Sequence, residues 1–188
     1  MTQQGEALAS FLACNQSLAV LGGAGVSTGS GIPDYRDRNG EWKPANPIQY
    51  SDFVKNANSR KRYWARSYVG WQRFSKARPN AAHHALAALE ESGKVDTLIT
   101  QNVDRLHHRA GSRRVIELHG DLSRVRCLNC DRTEGRSAFQ QCLRDANPGW
   151  HTEVSRYTPD GDAELAAESH CDFSVPGCRE CELSLIHI

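Results

Sequence analysis

The sequence predicts an α/β fold built on a parallel sheet, to which a smaller, cysteine-bearing module is attached. Short apolar runs at residues 17–21, 97–100 and 115–118 alternate with stretches of helical periodicity, which is the pattern of strand–helix–strand units. Glycine or polar residues follow each run, at the position where open α/β sheets bind ligands. Two Cys-x-x-Cys pairs near the end of the chain favour metal ligation in the second module.

The order of the remaining elements fits this fold. Helices are predicted at residues 5–14, 51–74, 81–91 and 137–145. Between the first strand and the second helix lies a long loop at residues 26–47, whereas residues 147–175 are polar and turn-rich. The division of the chain that we predict is a sheet domain at residues 1–52 and 77–123, a helical segment of the small domain at 53–76, and a zinc-binding module at 124–182.

Composition and charge exclude several classes of protein. The net charge is +1, so the chain offers no electrostatic basis for binding nucleic acid or an anionic membrane. The apolar runs are too short to span a membrane, and the N-terminus lacks the basic region of a signal peptide. Seven cysteines, an odd number, favour metal ligation in a reducing compartment over a disulfide framework. We therefore expect a cytoplasmic monomer with no membrane or direct nucleic-acid partner.

A glycine-rich loop, GGAGVSTGSGIPDYR, follows the first strand at residues 22–36. Its glycines permit positive φ angles and the close approach of a ligand, and N–H groups at such a strand end bind pyrophosphate. The spacing differs from the usual dinucleotide fingerprint, so glycine content alone also leaves a merely flexible loop open. The segment Ile32-Pro33-Asp34-Tyr35-Arg36 argues against a flexible linker, because it combines a stiff apolar wedge with an acid and a base.

Polar side chains follow the next two strands. Gln101, Asn102 and Asp104 come after the second strand, and such a set is suited to reading an amide and a ribose hydroxyl. The alternative is helix capping, which explains one of the three but not the set. His119 follows the third strand beside Gly120, and a neutral imidazole there is suited to act as a general base. A lone histidine is, however, more often structural.

Four cysteines form the two Cys-x-x-Cys pairs: Cys127, Cys130, Cys178 and Cys181. Together they predict a tetrahedral zinc site, which is structural because protein fills all four positions. The long separation between the pairs implies an insertion. Cys142 and Cys171 are alternative ligands, although neither belongs to such a pair.

Taken together, these motifs resemble the sirtuins, the NAD-dependent protein-lysine deacylases. The segments GAGVSTGSGIPDYRD, TQNVDRLHHRAG and ELHG and the paired Cys-x-x-Cys occur in the order of that family between residues 17 and 181. The resemblance implies a Rossmann-like parallel sheet domain that binds NAD, joined to a small zinc-binding and helical domain, with NAD and Zn as cofactors. The stretch RYWARSYVGW at residues 62–71 and the long gap between the cysteine pairs resemble the class II branch.

The resemblance also implies a role for each motif in cleaving NAD at its nicotinamide–ribose bond. Residues implied to hold the phosphates are Gly23, Ala24, Gly25 and Ser27, with Arg36 closing over them. The nicotinamide pocket is implied to consist of Ile32, Asn102 and Asp104, and Gln101 is implied to bind the ribose. The remaining implied cofactor residues of the loop are Pro33, Asp34 and Tyr35. The acyl oxygen of a substrate lysine then captures the oxocarbenium-like ribose, and His119 deprotonates a ribose hydroxyl to give O-acyl-ADP-ribose. The implied partner is an acyl-lysine protein or peptide.

Several alternatives stay open beside this interpretation. Tyr63 and Arg66 resemble the Tyr-x-x-Arg pair that grips acidic acyl groups, but an arginine on a solvated helix face explains them equally well. Sirtuin-type ADP-ribosyl transfer starts from the same cleavage of NAD. A dehydrogenase is disfavoured, because no acidic residue ends a second strand about 20 residues after the glycines. A zinc module that binds nucleic acid or protein gains support from arginines at positions 124, 126, 132 and 136, yet leaves the glycine loop and His119 without a purpose.

The pattern of the family continues beyond the second cysteine pair, where this chain stops. We therefore expect an incomplete sheet domain with an exposed apolar edge and face, and weak cofactor binding. The final residues, LSLIHI at 183–188, read as a translation of CTGTCTCTTATACACATC, a transposon-end adapter used in sequencing libraries. We predict that they are a non-native tail.

Overall fold

The computed structural model describes residues 2–37, 39–43 and 47–187 and confirms the predicted α/β architecture. In chain order the elements are α1 (Gln3–Cys14), β1 (Leu18–Gly22), a 3-10 helix (Ala24–Ser30), α2 (Tyr50–Lys55), α3 (Ala57–Phe74), α4 (Ala81–Glu91), β2 (Val95–Thr100), α5 (Leu106–Ala110), β3 (Val115–Glu117), β4 (Arg124–Cys127), β5 (Thr133–Gly135), α6 (Arg136–Ala146), β6 (Val154–Tyr157), β7 (Ala163–Leu165) and β8 (Leu185–His187). Residues 38 and 44–46 of the predicted long loop and residue 188 of the predicted tail lie outside the described residues. Among the residues described, no helix is both long and apolar enough to cross a membrane.

Strands β1, β2 and β3 form a parallel sheet with β2 in the centre. The β-branched and leucine residues of these runs favour a pleated, half-buried surface, and Val95 and Leu98 of β2 are buried. Helix α4 packs against β2. Because parallel strands end at the same edge, the segments that follow Gly22, Thr100 and Glu117 leave the sheet side by side. This edge positions the candidate site.

One face of this sheet is apolar and exposed. Leu21, Ile99 and Ile116 are direct neighbours across the three strands, and Leu118 follows on the same face. The exposed fractions are 66% for Leu21, 50% for Ile116 and 53% for Leu118. The exposed apolar face that the sequence led us to expect is therefore present.

The small domain is built around Trp64 of α3, whose side chain is fully buried. The ring of Phe139 from α6 packs edge-on against it, with centroids 4.7 Å apart, and the indole N–H donates to the backbone oxygen of Leu185, 3.1 Å away. Strands β5, β4 and β8 form an antiparallel sheet beside this core. Other buried members are Phe53, Ala65, Tyr68, Val125, Leu143 and Phe173. Aromatic residues that anchor α3 thus supply much of the core.

The prediction of a single helix at residues 51–74 is wrong, since α2 and α3 meet at Asn56. This residue has an extended backbone (φ −122°, ψ 117°), and its side chain accepts hydrogen bonds from the N–H groups of Asn58 and Ser59. Arg60 reinforces the junction by donating to the carbonyls of Phe53 and Val54, each 3.0 Å away. An asparagine that caps a new helix here outcompetes continuation of the old one.

The segment between the cysteine pairs contains an antiparallel hairpin, β6 and β7, that the sequence did not predict. The hairpin packs on α3 at Gly70, where the backbone of Gly161 and Asp162 leaves no room for a Cβ atom. Gly161 itself needs a glycine, because its φ of 78° lies in the left-handed region. A cavity of about 170 Å³, lined in part by Gly31, Pro33 and Tyr157, lies between the hairpin and the glycine loop.

The end of α3 connects the two parts of the molecule. Phe74 packs with Ile32 of the glycine loop and Leu106 of α5, whereas the first turns of α3 belong to the small domain. Near the end of the chain, β8 pairs with β4 and buries Leu185. The domain boundaries and the non-native origin of residues 183–188 stay predictions.

Candidate functional site

A cavity of about 450 Å³ lies where the glycine loop meets the ends of β2 and β3. Three separate segments of the chain contribute predicted residues to its lining: Gly23, Ala24, Gly25, Asp34, Tyr35, Arg36, Gln101, Asn102 and His119. Trp42 also lines the cavity and was not predicted. The guanidinium of Arg36 lies 4.3 Å from the centre of the Trp42 ring and donates to the carbonyl of Gly40 at 2.6 Å. This cation–π contact fixes the arginine at the rim, and it leaves no periodic signal in the sequence.

The side chains of Ser27, Asn102 and Asp104 form one hydrogen-bond network behind the cavity. Ser27 is fully buried and donates to a carboxylate oxygen of Asp104 at 2.6 Å. The amide of Asn102 donates to the carbonyl of Gly23 and to the hydroxyl of Ser27, each at 3.1 Å. Asp104 also accepts a hydrogen bond from the N–H of Leu106, the first residue of α5, at 2.8 Å. The N-cap position of α5 is Arg105, which makes no side-chain cap hydrogen bond, so neither Asn102 nor Asp104 is the N-cap. Asn102 instead joins the loop after β2 to the glycine loop.

Two other predicted cofactor residues lie outside the cavity lining. Ile32 is only 5% exposed and packs with Phe74 and Leu106. Pro33 lines the two neighbouring cavities next to the hairpin. Their roles in holding the cofactor therefore stay predictions.

Asn80 contacts the glycine loop, which the sequence did not reveal. It caps α4, as its position before an apolar helix indicates, by accepting from the N–H groups of Ala82 and His83. Its amide also donates to the carbonyl of Val26 at 2.8 Å and to the hydroxyl of Ser30 at 3.0 Å. One side chain thus fixes both a helix and the glycine loop. The cap of α4 could be predicted from the sequence, whereas the contact with the glycine loop could be seen only in the structure.

His119 is exposed at the cavity and is oriented by one backbone contact. Its Nδ1 lies 3.0 Å from the carbonyl oxygen of Gln101. A carbonyl can only accept, so a neutral imidazole carries its proton on Nδ1 in this contact. Nε2 is then left as the acceptor, which is the state that a general base requires.

Two buried histidines, His83 of α4 and His107 of α5, lie beneath the glycine loop. Their ring centroids are 4.8 Å apart, and both side chains are at most 2% exposed. Burial lowers the pKa of His83, and burial together with the neighbouring His83 lowers the pKa of His107 to about 4. Both rings are therefore neutral at pH 7. They pack as polarisable core residues behind Gly22, whose added Cβ would meet Nε2 of His107 at 3.7 Å.

We expect this pair to make the free energy of unfolding depend on pH. An unfolded histidine has a pKa of about 6.5, whereas folded His107 has a pKa of about 4. Between these two pH values the unfolded chain binds a proton that the folded chain does not bind. The free energy of unfolding is therefore highest above pH 6.5 and decreases as the pH falls towards 4. His107 alone accounts for a decrease of about 3 kcal/mol. Urea unfolding at pH 7 and pH 4.5 measures this loss. His107→Gln should reduce the difference between the two pH values, whereas the exposed control His84→Gln should leave it intact.

Tyr63 and Arg66 both make contacts within the chain. The hydroxyl of Tyr63 lies 2.5 Å from Nδ1 of His187. Arg66, with only 6% of its side chain exposed, lies 3.8 Å from a carboxylate oxygen of Asp162 and 3.6 Å from one of Glu164. Arg66 lines a cavity of about 360 Å³ that shares Asp34 and Tyr35 with the main cavity. The arginine is therefore not on a solvated face, and its role towards an acyl carboxylate stays a prediction.

The four predicted zinc ligands converge. The Sγ atoms of Cys127, Cys130, Cys178 and Cys181 all lie within 4.8 Å of one another, and three of the separations are 3.5, 3.6 and 3.6 Å. Tetrahedral zinc with bonds of about 2.3 Å separates its sulfurs by about 3.8 Å, so the donor set fits the ion. Burial alone would raise the pKa of Cys127, but N–H groups of Cys130 and Asn129 outweigh it and lower the pKa to about 7. Cys142 and Cys171 do not belong to this cluster.

Comparison with known proteins gives consistent matches. The model of the Sir2 family matches residues 23–183. The chain is 52% identical over 181 residues to an NAD-dependent protein deacetylase of Xanthomonas campestris pv. campestris (strain B100), covering 96% of this chain and 62% of that protein. It is 46% identical over 177 residues to the NAD-dependent protein deacylase Sirt4 of Drosophila melanogaster, covering 93% of this chain and 57% of that protein.

Solved structures agree with these matches. The fold resembles that of a Sir2 protein with a p53 peptide and NAD+, with a TM-score of 0.67 and 29% identity, covering 100% of this chain and 63% of that one. It also resembles a Sir2 protein bound to acetylated peptide, with a TM-score of 0.68 and 28% identity, at the same coverages. This chain therefore spans less than two thirds of the length of each of these relatives.

Proposed function

The chain belongs to the Sir2 family, and on that premise we propose that it is an NAD-dependent protein-lysine deacylase. One observation carries the proposal: three segments far apart in sequence place the glycine loop, the Asn102 network and His119 around a single cavity. Such a cavity at the carboxyl edge of a parallel sheet is where nucleotide ligands bind. The proposed partners are NAD and an acyl-lysine protein or peptide.

The glycine loop is proposed to hold the diphosphate of NAD. Gly23, Ala24 and Gly25 line the cavity without bulky side chains, which allows close approach to the backbone. Arg36, fixed against Trp42, supplies a positive charge at the rim. Gln101 lies on the opposite segment and is suited to a ribose hydroxyl.

The chemistry proposed for this site is displacement at the nicotinamide–ribose bond. Bound NAD supplies the activated glycosidic bond, and the chain supplies position and a base. Asn102 is held by Gly23 and Ser27, so that its position relative to the glycine loop is fixed before a ligand arrives. His119, with its proton on Nδ1, accepts the proton of a ribose hydroxyl on Nε2. In the overall balance one water would be consumed, nicotinamide would leave from the ribose, the lysine amine would leave from the acyl carbon, and the acyl group would end on the ribose oxygen.

The cellular setting is part of the same proposal. The odd number of cysteines and their Cys-x-x-Cys spacing are the basis for proposing a reducing compartment such as the cytoplasm. We propose that the protein acts there as a monomer on protein substrates and not on nucleic acid.

Nicotinamide release from NAD tests the proposed function. The purified, zinc-loaded protein is mixed with NAD and with peptides that carry acetyl-, lipoyl- or glutaryl-lysine. We expect release that depends on an acylated peptide and is absent with the unmodified lysine peptide. The preferred acyl group identifies the substrate class. Folded protein that releases nicotinamide at the same rate with and without any of the peptides contradicts the proposal.

A further inference from the structure

Arg105 has a backbone conformation that is costly for its side chain. Its φ of 58° and ψ of 19° lie in the left-handed region, which residues with a Cβ atom rarely adopt. The residue stands between Asp104 of the hydrogen-bond network and the first turn of α5. Strain of this kind persists only where surrounding contacts impose it, and such residues cluster at functional sites.

The contacts that hold Arg105 come from the segment that carries His119. Its Nη1 atom lies 3.1 Å from a carboxylate oxygen of Asp121 and 3.9 Å from one of Glu117. Glu117 comes two residues before His119, and Asp121 comes two residues after it. One guanidinium therefore contacts the chain on both sides of the proposed base.

Asp121 is anchored firmly enough to act as a fixed point. Its side chain is 2% exposed and accepts from the backbone N–H of Ser123 at 2.6 Å and from the Ser123 hydroxyl. Burial would raise the pKa of Asp121, but the hydrogen bonds from Ser123 and Arg105 outweigh it and lower the pKa. The carboxylate is thus ionised at neutral pH, and its pairing with Arg105 is a charge-assisted hydrogen bond.

Two backbone hydrogen bonds run parallel to this ion pair. The N–H of Leu122 donates to the carbonyl of Val103 at 3.1 Å, and the N–H of Leu118 donates to the carbonyl of Thr100 at 2.9 Å. The Leu118 bond continues the sheet pairing of β2 and β3, whereas the Leu122 bond joins two loops beyond the sheet. Arg105 lies in the second region, where the sheet no longer fixes the distance between the loops.

We propose that Arg105 is a positioning residue that holds the His119 segment against the segment of Gln101, Asn102 and Asp104. It does not line the cavity and touches no reacting atom. Its effect is to keep Nε2 of His119 at a fixed distance from the ribose that Gln101 is proposed to hold. This inference rests on the proposed function. The strained backbone of Arg105 is the cost of aligning His119 with the cofactor.

Three substitutions separate the charge of Arg105 from its backbone strain. Arg105→Lys keeps both, Arg105→Gln keeps the strain and removes the charge, and Arg105→Gly removes both. Arg109→Gln, an exposed arginine of α5, is the matched control. If Arg105 only stabilised the fold, relief of strain would make Arg105→Gly as active as the parent protein.

Two reactions measure alignment of the base. Exchange of labelled nicotinamide into NAD reports bond cleavage, and O-acyl-ADP-ribose formation reports the later step that needs His119. We expect Arg105→Gln and Arg105→Gly to slow product formation about tenfold while exchange changes less than about threefold, because a small misplacement of a base costs rate rather than binding. Arg105→Lys should restore product formation to within about threefold of the parent protein. Equal loss of both reactions, or full activity of Arg105→Gly, overturns the proposal.

Amide hydrogen exchange tests the same inference without turnover. In Arg105→Gln and Arg105→Gly the amide of Leu122 should exchange about tenfold faster, while that of Leu118, held by the sheet, stays unchanged. Unaltered protection of Leu122 overturns the inference whatever the activity. Faster exchange in a protein that releases no nicotinamide would retain the coupling of the two loops and reject the proposed function instead.

Discussion

Removing zinc should unfold the small domain. Apparent binding energies of structural zinc are about 10–16 kcal/mol in small metal-binding domains, which equals or exceeds the stability of a typical domain at about 5–15 kcal/mol. The ligands here are part of the hydrophobic core, since Cys127 and Cys178 are at most 1% exposed and pack with Val125 and Leu185. Without the ion, four sulfurs within 4.8 Å of one another face each other with nothing to neutralise a thiolate.

A chelator titration followed by near-ultraviolet circular dichroism measures this effect. The signal of buried Trp64, whose ring lies against Phe139, should collapse together with the loss of one zinc ion per chain. Cys127→Ser should show the same loss without chelator. Cys171→Ser, which changes an exposed thiol outside the cluster, is the control and should retain zinc and stability. Native circular dichroism from zinc-free protein would show that packing alone holds the domain.

Much of the fold could be predicted because local chemistry and tertiary structure agree in the sheet domain. Short apolar runs became β1, β2 and β3, and the polar residues after them reached one cavity because parallel strands share an edge. The zinc site could likewise be predicted from the spacing of the cysteines, because it requires only that the two Cys-x-x-Cys pairs come together. In each case the signal lies within a few neighbouring residues of the sequence.

The features that escaped prediction depend on contacts between distant residues. The strands of the hairpin, VSRY and AEL, are short and polar, and the packing of Gly70 against Gly161 is what places them. Asn56 fits the middle of a helix or its cap equally well until Arg60 reaches back to Phe53. Trp42 gains its place at the cavity from Arg36. None of these pairings has a period that sequence reasoning can detect.

Replacing His119 should abolish acyl transfer while sparing cofactor binding. General base catalysis contributes about 10²- to 10⁴-fold, so His119→Ala should slow O-acyl-ADP-ribose formation by that factor. The imidazole is exposed, and the contact that orients it is to the carbonyl of Gln101, so its removal disturbs neither the glycine loop nor the Asn102 network. NAD affinity measured by calorimetry should therefore change little.

Two further variants show whether the effect belongs to the base. His119→Gln keeps a donor for the carbonyl of Gln101 but cannot take up a proton, so it should be as inactive as His119→Ala. His151→Ala is a matched control, since His151 is also exposed with Nδ1 3.0 Å from a backbone carbonyl, that of Gly149, and it should keep full activity. If His119→Gln retained more than about a tenth of the rate, position and not proton transfer would be the contribution of His119. The proposed mechanism would then need another base, and Arg105 would no longer have a catalytic base to align.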